Sequence, residues 1–244
     1  MVKYNSAVSL MDNGKYKEAI EAFEAMGDYK DSEEKCKEAF QKYYTYAEIG
    51  DVITLGSYEQ DTDIYNGKEA IEWIVLDKNS SSLLLISKYA LDCKQYNTSH
   101  TDVTWETCTL RKWLNNDFIN AAFSSYEKAM IPTVTVSADK NPNYSTNPGN
   151  ATQDQVFLLS ITEANKYFGS DSARQCKPTD YAVANGTGES GSGNCWWWLR
   201  SPGYSQLVAA RVLVGGFVSV DGFDVHGGNF AVRPALWIDL SNLD

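Results

Sequence analysis

The segment Trp196-Trp197-Trp198-Leu199-Arg200-Ser201-Pro202-Gly203 introduces a tail in which short apolar runs alternate with glycine-containing dipeptides. The runs cover residues 207–214, 217–220, 223–226 and 230–237, and the dipeptides between them are Gly215-Gly216, Asp221-Gly222 and Gly227-Gly228. Dipeptides of this kind between short alternating runs favour the tight turns of β-hairpins. The tail therefore predicts an antiparallel meander over residues 204–238.

Residues 50–168 predict a mixture of strands and helices ahead of this tail. A strand is expected from Val52 to Leu55, closed by Gly56, and further strands are expected over residues 71–76, 83–86 and 156–159. Helices are expected over residues 104–123, in a region that Pro132 ends, and over residues 162–168. Residues 137–155 are a polar stretch of a length that is usually functional or mobile. The expected fold class is α+β.

The first 49 residues predict helices. Apolar residues recur at helical spacing over three stretches, with Asn13-Gly14 and Gly27 as helix ends and Asp31 as the N-cap of the third helix. The spacing of the small and apolar residues between Ala7 and Phe23 resembles one tetratricopeptide repeat. One repeat cannot form a solenoid groove, so a spacer or a docking hairpin is favoured over a peptide-binding groove. A protein partner that docks on residues 1–49 is one expectation from this segment.

Six strings of residues stand out between residues 71 and 238. They are Ile71-Glu72-Trp73-Ile74-Val75-Leu76-Asp77, Leu84-Leu85-Ile86-Ser87-Lys88-Tyr89-Ala90-Leu91-Asp92, Trp105-Glu106 with Leu110-Arg111-Lys112-Trp113-Leu114-Asn115, Val156-Phe157-Leu158-Leu159-Ser160, Trp197-Trp198-Leu199-Arg200-Ser201-Pro202-Gly203 and Val232-Arg233-Pro234-Ala235-Leu236-Trp237-Ile238. In this order and spacing they resemble a bacterial domain of unknown function, DUF6273. The resemblance implies a C-type-lectin-like fold, with mixed and antiparallel sheets and two helices, over residues 50–244. Residues 1–49 would form a small α-helical hairpin ahead of it.

Domains of this kind also occur as the variable proteins of diversity-generating retroelements, which rewrite adenines in a C-terminal cassette, largely in AAC and AAT codons. Such rewriting cannot produce Lys, Glu, Gln, Met or Trp. Residues 201–232 contain one residue of these five types, Gln206, whereas average composition would place them at roughly a fifth of positions. The resemblance therefore implies a variable region over about residues 201–232. Gly-rich meanders are poor in Lys and Glu in any case, so the depletion has a second explanation.

The residues of this region divide into a plain framework and a mixed set of bulky, small and charged side chains. Because side chains alternate along a strand, the framework could face inward while the mixed set faces a ligand, with Arg211 and Leu213 on one face and Val212 and Val214 on the other. The framework residues are Ala209, Ala210, Val212, Val218, Gly222, Val225 and Ala231. The predicted ligand contacts are Tyr204, Ser205, Gln206, Leu207, Arg211, Leu213, Phe217, Ser219, Phe223, Asp224, His226, Asn229 and Phe230. Exposed aromatics would act as anchors for a protein or glycan ligand.

The charge of the chain argues against two classes of partner. Its 32 acidic and 21 basic residues give a formal net charge of −11, and the ordinary nucleic-acid reader needs the opposite balance. The same charge disfavours an anionic membrane surface. The chain as given contains no apolar run of membrane-spanning length and no apolar core of a signal peptide. We therefore expect neither a transmembrane helix nor a signal peptide in it. No Lys or Glu follows Glu189, so the acidity belongs to the body of the chain.

No catalytic residue, metal site or cofactor is predicted. Of the two histidines, His100 lies in a polar loop and His226 lies in the expected variable region. The five cysteines are odd in number and lack metal-ligand spacing, so reduced thiols are favoured over a Cys93–Cys108 or Cys176–Cys195 disulfide. The calcium-binding triplets of lectins are absent, and Asp61-Thr62-Asp63 is interpreted as a solvated acidic loop that could hold an adventitious cation.

Two other hypotheses remain open. A sugar-binding or enzymatic domain on the same fold would use a fixed pocket near residues 196–198 and 137–155, although at least one of the three Trp residues is expected in the core. A structural adaptor would act through residues 1–49. Arg200 and Arg233 are expected to pair with buried acids such as Glu72, Glu106 or Asp77, or with carbonyls.

Overall fold

The computed structural model describes residues 2–228 and 230–243. The first three elements are helices: α1 (Val2–Asp12), α2 (Tyr16–Glu24) and α3 (Ser32–Thr45). Their ends agree with the predicted ones, and their apolar stripes meet in a small core around Ala7, Phe23 and Ala39. Asp31 is the N-cap residue of α3, but its side chain makes no capping bond, because it accepts the hydroxyl of Tyr4.

The helical segment is fastened to the rest of the protein through two tyrosines of α3. The hydroxyl of Tyr44 donates to the carbonyl oxygen of Thr54 at 2.9 Å, and the amide of Thr54 donates to the hydroxyl of Tyr43 at 3.0 Å. Phe40 and Tyr43 pack against both the small core and the main core. This face of α3 is therefore covered, and an adaptor would have to use another face of residues 2–49.

The first large sheet contains β1 (Val52–Tyr58), β2 (Glu69–Lys78), β3 (Ser82–Ser87), β7 (Val156–Phe157) and β12 (Ala235–Asp239). Its strand order is β1-β2-β3-β12-β7, and all its pairs are antiparallel. The prediction that Gly56 ends the first strand is wrong, because β1 continues to Tyr58 across a register shift. Gly56 has φ +69°, and a Cβ there would lie 2.6 Å from the carbonyl oxygen of Ala122, so glycine permits this close approach.

The second large sheet contains β4 (Asp92–Cys93), β8 (Trp197–Pro202), β9 (Val208–Val212), β10 (Val218–Asp224) and β11 (Ala231–Val232). Its strand order is β10-β9-β8-β11-β4. The meander predicted over residues 204–238 is correct for β9 and β10, which continue antiparallel from β8, but wrong beyond them. β11 returns to pair with β8 in parallel and with β4 antiparallel, and β12 joins the first sheet. A two-residue period predicts a strand but does not identify its partner.

The remaining elements connect and cover the two sheets. They are α4 (Thr109–Trp113), a π-helical turn (Leu114–Phe118), α5 (Ile119–Ala122), α6 (Ser125–Met130), α7 (Ile161–Tyr167), α8 (Asp171–Arg174), α9 (Asp180–Ala184), a 3₁₀ turn (Leu240–Leu243), and the paired strands β5 (Val134–Val136) and β6 (Thr152–Asp154). The fold is α+β, as predicted, but the described residues after 50 form six short α-helices and a π-helical turn rather than the two helices expected. In the described parts of the chain, no helix has the length and apolarity needed to cross a bilayer.

The five cysteines are free thiols, so neither alternative disulfide is present. Cys108 is fully buried, and its sulfur accepts the amide of Arg111 at 3.4 Å at the start of α4. Burial raises the pKa of Cys108 from 9.0 to about 12.

This raised pKa predicts a loss of stability at alkaline pH. Between pH 8 and pH 10 the unfolded thiol ionises while the folded thiol stays protonated, so the unfolded state binds fewer protons and stability falls as the pH rises. We expect the free energy of unfolding to drop by about 1 kcal/mol more in the wild type than in Cys108→Ala over this range. Urea denaturation of both proteins at pH 8, 9 and 10 measures the difference, and parallel pH profiles would contradict it.

Candidate functional site

The outer face of the β9–β10 hairpin carries part of the predicted ligand-binding set. Arg211 pairs with Ser219 across the hairpin and with Trp198 on the other side, while Ala209 pairs with Phe223. Directly paired residues point to the same side of a sheet, and so do residues two apart on a strand, such as Ala209 and Arg211. Arg211, Ser219 and Phe223 therefore share one face. The residues predicted as framework are mostly buried: Ala209, Ala210, Val212, Val218, Val225 and Ala231. Gly222 is half-buried, and β9 ends at Val212, so Leu213 and Val214 lie in the turn.

The first of two clefts on this face surrounds Arg211, and its lining residues are Trp196, Arg211, Phe223, Gly228 and Phe230, which enclose about 380 Å³. We call it the Arg211 cleft. The guanidinium carbon lies 4.6 Å from the ring centre of Phe223 and 4.9 Å from that of Phe230. The prediction that Phe230 is an exposed contact is wrong, because its ring packs 4.5 Å from the ring of buried Trp198. Phe230 therefore supports the cleft from below.

The second cleft shares Phe223 with the first and encloses about 510 Å³. Its lining includes five predicted residues, Tyr204, Ser205, Leu207, Phe223 and Asp224, together with His100. Nε2 of His100 lies 3.2 Å from a carboxylate oxygen of Asp224, a contact that sequence reasoning missed because the two residues are far apart in the chain. Phe223 is 42% exposed, so one aromatic ring stands between two open clefts.

The structure does not bring all the predicted residues together. Leu213 and Phe217 lie in the turn at the opposite end of β10 from Phe223, where the amide of Leu213 donates to the carbonyl oxygen of Phe217 at 2.9 Å. The carbonyl oxygen of Gln206 accepts the amide of Val103 at 3.1 Å, and the carbonyl oxygen of His226 accepts the side-chain amide of Gln95 at 2.7 Å. Asn229 lies outside the described residues.

Residues 137–155 hold the base of the hairpin in place. The side chain of Asn141 is buried and donates to the carbonyl oxygens of Pro202 and Val220 at 2.8 and 2.7 Å. The hydroxyl of Tyr144 donates to the carboxylate of Asp221. The polar stretch therefore links β8 and β10 through hydrogen bonds, a structural role that its composition did not indicate.

The three Trp residues at positions 196–198, together with Arg200 and Arg233, belong mainly to the core. Trp197 and Trp198 are fully buried, so two of the three Trp residues expected at the fixed pocket are closed to a ligand, and of the three only Trp196 lines a cleft. Arg200 pairs with Glu163 and donates to carbonyl oxygens, and Arg233 donates to the carbonyl oxygen of Ser87 at 2.9 Å. The expected carbonyl partners are confirmed, whereas the acids named from the sequence were wrong: Glu72, Glu106 and Asp77 pair elsewhere or bond other groups.

Two further groups lie outside the hairpin. Oxygens of Glu59, Asp61 and Glu69 lie within 4.8 Å of one another, and burial is the main cause that raises the pKa of Glu59. These carboxylates are the described residues that could hold a cation. A cleft of about 680 Å³ lies between β4 and α4, where the ammonium of Lys94 sits 5.0 Å from the ring centre of Trp113.

The fold and its clefts define an α+β domain with an aromatic face on one hairpin. Residues 80–240 match the family described as "Domain of unknown function (DUF6273)". Because the match covers more than half of the chain, the protein belongs to this family. No curated protein and no solved structure matches it.

Proposed function

We propose that the protein is a non-enzymatic binding protein with a C-type-lectin-like fold, whose ligand occupies the β9–β10 face. The observation that carries the proposal is the pair of adjoining clefts that share Phe223. Both are lined mainly by residues of the region proposed to vary, while most of the framework residues in it are buried. A retroelement could change Arg211 and Ser219 with little effect on the core, since the paired framework residues Val212 and Val218 point to the opposite, buried face.

Two exposed phenylalanines offer a matched test of this face. Phe223 is 42% exposed between the clefts, and Phe217 is 59% exposed at the other end of β10. We expect fragments from an aromatic and monosaccharide library to shift amide resonances around Phe223 and Tyr204. Phe223→Ser should weaken the affinity for these fragments about tenfold or more, as loss of a central aromatic anchor does. Phe217→Ser should leave the affinity unchanged. Nuclear magnetic resonance titration of the labelled protein measures both.

The proposal that a retroelement diversifies this face can be tested separately, in the genome. A template repeat that matches codons 201–237 and differs only at adenines is expected beside a reverse transcriptase gene. A locus without such a repeat would remove diversification from the proposal and leave the binding face to be judged by the titrations.

A fixed pocket is the second candidate, and the cleft at Lys94 and Trp113 favours it. At about 680 Å³ that cleft is larger than either cleft on the β9–β10 face. Its lining comes mainly from residues 93–117, outside the region proposed to vary. It also borders the π-helical turn, a feature frequent at functional sites. Fragments that shift the indole of Trp113 and still bind Phe223→Ser would favour this site over the hairpin face.

A further inference from the structure

Arg211 has no ion-pair or hydrogen-bond partner for its guanidinium among the described residues. Arg111, Arg174 and Arg200 each form an ion pair with a carboxylate. Arg233 has no such pair, but its guanidinium donates to backbone carbonyl oxygens. Arg211 does neither with any described residue, and its buried Nε has no hydrogen-bond partner. A partly buried charge of this kind is costly unless something outside the chain compensates it.

The acidic side chains closest in sequence are already engaged by other groups. The carboxylate of Asp224 faces His100 and accepts the amide of His226 at 2.8 Å. Asp221 accepts the hydroxyl of Tyr144. The two rings beside the guanidinium provide a cation–π contact but no hydrogen-bond acceptor of full strength. Burial accordingly lowers the pKa of Arg211 from its ordinary value.

We infer that the Arg211 cleft binds a carboxylate carried on a planar apolar ring, an inference that rests on the proposed binding function of this face. One arginine supplies one positive charge, and the other lining residues, Trp196, Phe223, Gly228 and Phe230, carry none. A carboxylate matches that single charge and the planar guanidinium, whereas a phosphate monoester brings close to two negative charges. The aromatic lining provides the surface on which a ring can pack. A volume of about 380 Å³ suits a ligand of this size.

Two ring compounds of equal shape test the charge requirement: indole-3-acetate and its neutral amide, indole-3-acetamide. We expect the carboxylate to bind about tenfold more tightly, because a hydrogen bond to an ionised group is stronger than one between neutral groups. The shifts should map to Phe223, Phe230 and the side chain of Arg211. Inorganic phosphate alone should shift these resonances only at much higher concentration.

Three variants separate the role of Arg211 from a general effect of charge. Arg211→Gln should abolish the preference for the carboxylate, and Arg211→Lys should retain part of it. Lys37→Gln, which removes one positive charge from the exposed surface of α3, should leave the preference unchanged. Spectra that superpose outside the cleft establish that each variant is folded.

The outcomes distinguish the inference from the proposed function. Equal binding of both compounds at Phe223 would overturn the carboxylate inference and leave the binding face standing. A carboxylate preference that survives in both Arg211 variants would overturn it in the same way. If neither compound shifts the cleft while other fragments shift Phe223, the inference fails alone. If no fragment shifts this face, the inference and the proposed function fail together.

Discussion

Replacing Arg200 by Met is expected to lower the free energy of unfolding by about 3 kcal/mol or more, as removal of one partner from a buried ion pair does. Arg200 is 3% exposed, and its guanidinium binds both carboxylate oxygens of Glu163, one of them at 3.0 Å. It also donates to the carbonyl oxygens of Leu158 and Ser137 at 2.9 and 3.2 Å. Met fills much of the space but satisfies none of these acceptors, so their desolvation is left uncompensated.

Chemical denaturation measures this loss, and three further variants test whether it comes from the Arg200–Glu163 pair: Lys166→Met, Glu163→Gln, and Glu163→Gln combined with Arg200→Met. Lys166 lies on α7 with Glu163, and Lys166→Met removes its exposed pair with Asp77 of β2, which should cost less than about 1 kcal/mol. Glu163→Gln combined with Arg200→Met should cost less than the sum of the single changes, because each removes the same pair. Glu163 also accepts the amide of Ser160, so its own loss is not zero. An Arg200→Met loss as small as that of Lys166→Met would show that the buried network contributes little.

Replacing Gly216 by Ala is expected to destabilise the protein by about 3 kcal/mol, whereas the same change at Gly215 should stay within about 0.5 kcal/mol. Gly216 has φ +87°, and a Cβ there would lie 1.6 Å from the carbonyl oxygen of Asp171, a backbone atom that cannot move alone. The carbonyl oxygen of Gly216 also accepts Nε of Arg174 at 2.8 Å, which ties the turn to α8. A Cβ at Gly215 would meet no atom within 4 Å.

The two glycine variants differ by one position in the chain, so their comparison isolates the backbone clash. Thermal unfolding followed by circular dichroism gives both values under one set of conditions. The β9–β10 hairpin should remain in register in Gly215→Ala and shift at its turn in Gly216→Ala. Equal midpoints for the two proteins would contradict the close packing of this turn on α8.

The elements that could be predicted from the sequence are those with a local periodic pattern of apolar residues. The ends of α1, α2 and α3, the strands β2 and β3, and the buried framework of β9 and β10 all agree with the expected pattern. Alternation fixes which side chains of a strand share a face. It was therefore sufficient to place Val212 and Val218 in the core and to keep Arg211 out of it.

The features that the sequence did not predict depend on partners distant in the chain. The acid that pairs with Arg200 is Glu163 on α7, and nothing local distinguishes it from the three acids named first. Phe230 is buried because Trp198 lies beneath it, a contact that no spacing rule supplies. The side chain of Asn141 bridges β8 and β10 from within a stretch whose composition resembles that of a free loop.

The position of the last two strands has a consequence for how the protein is made. β11 lies between β8 and β4, and β12 lies between β3 and β7, so each large sheet has an interior place that only residues after 230 can fill. Such distant pairings form late, because the intervening chain must first be present. During synthesis neither sheet can be completed until the ribosome has passed the region proposed to vary. A chain that stops within that region would expose two incomplete sheets to proteolysis, so translation to the end is itself a condition for displaying any version of the binding face.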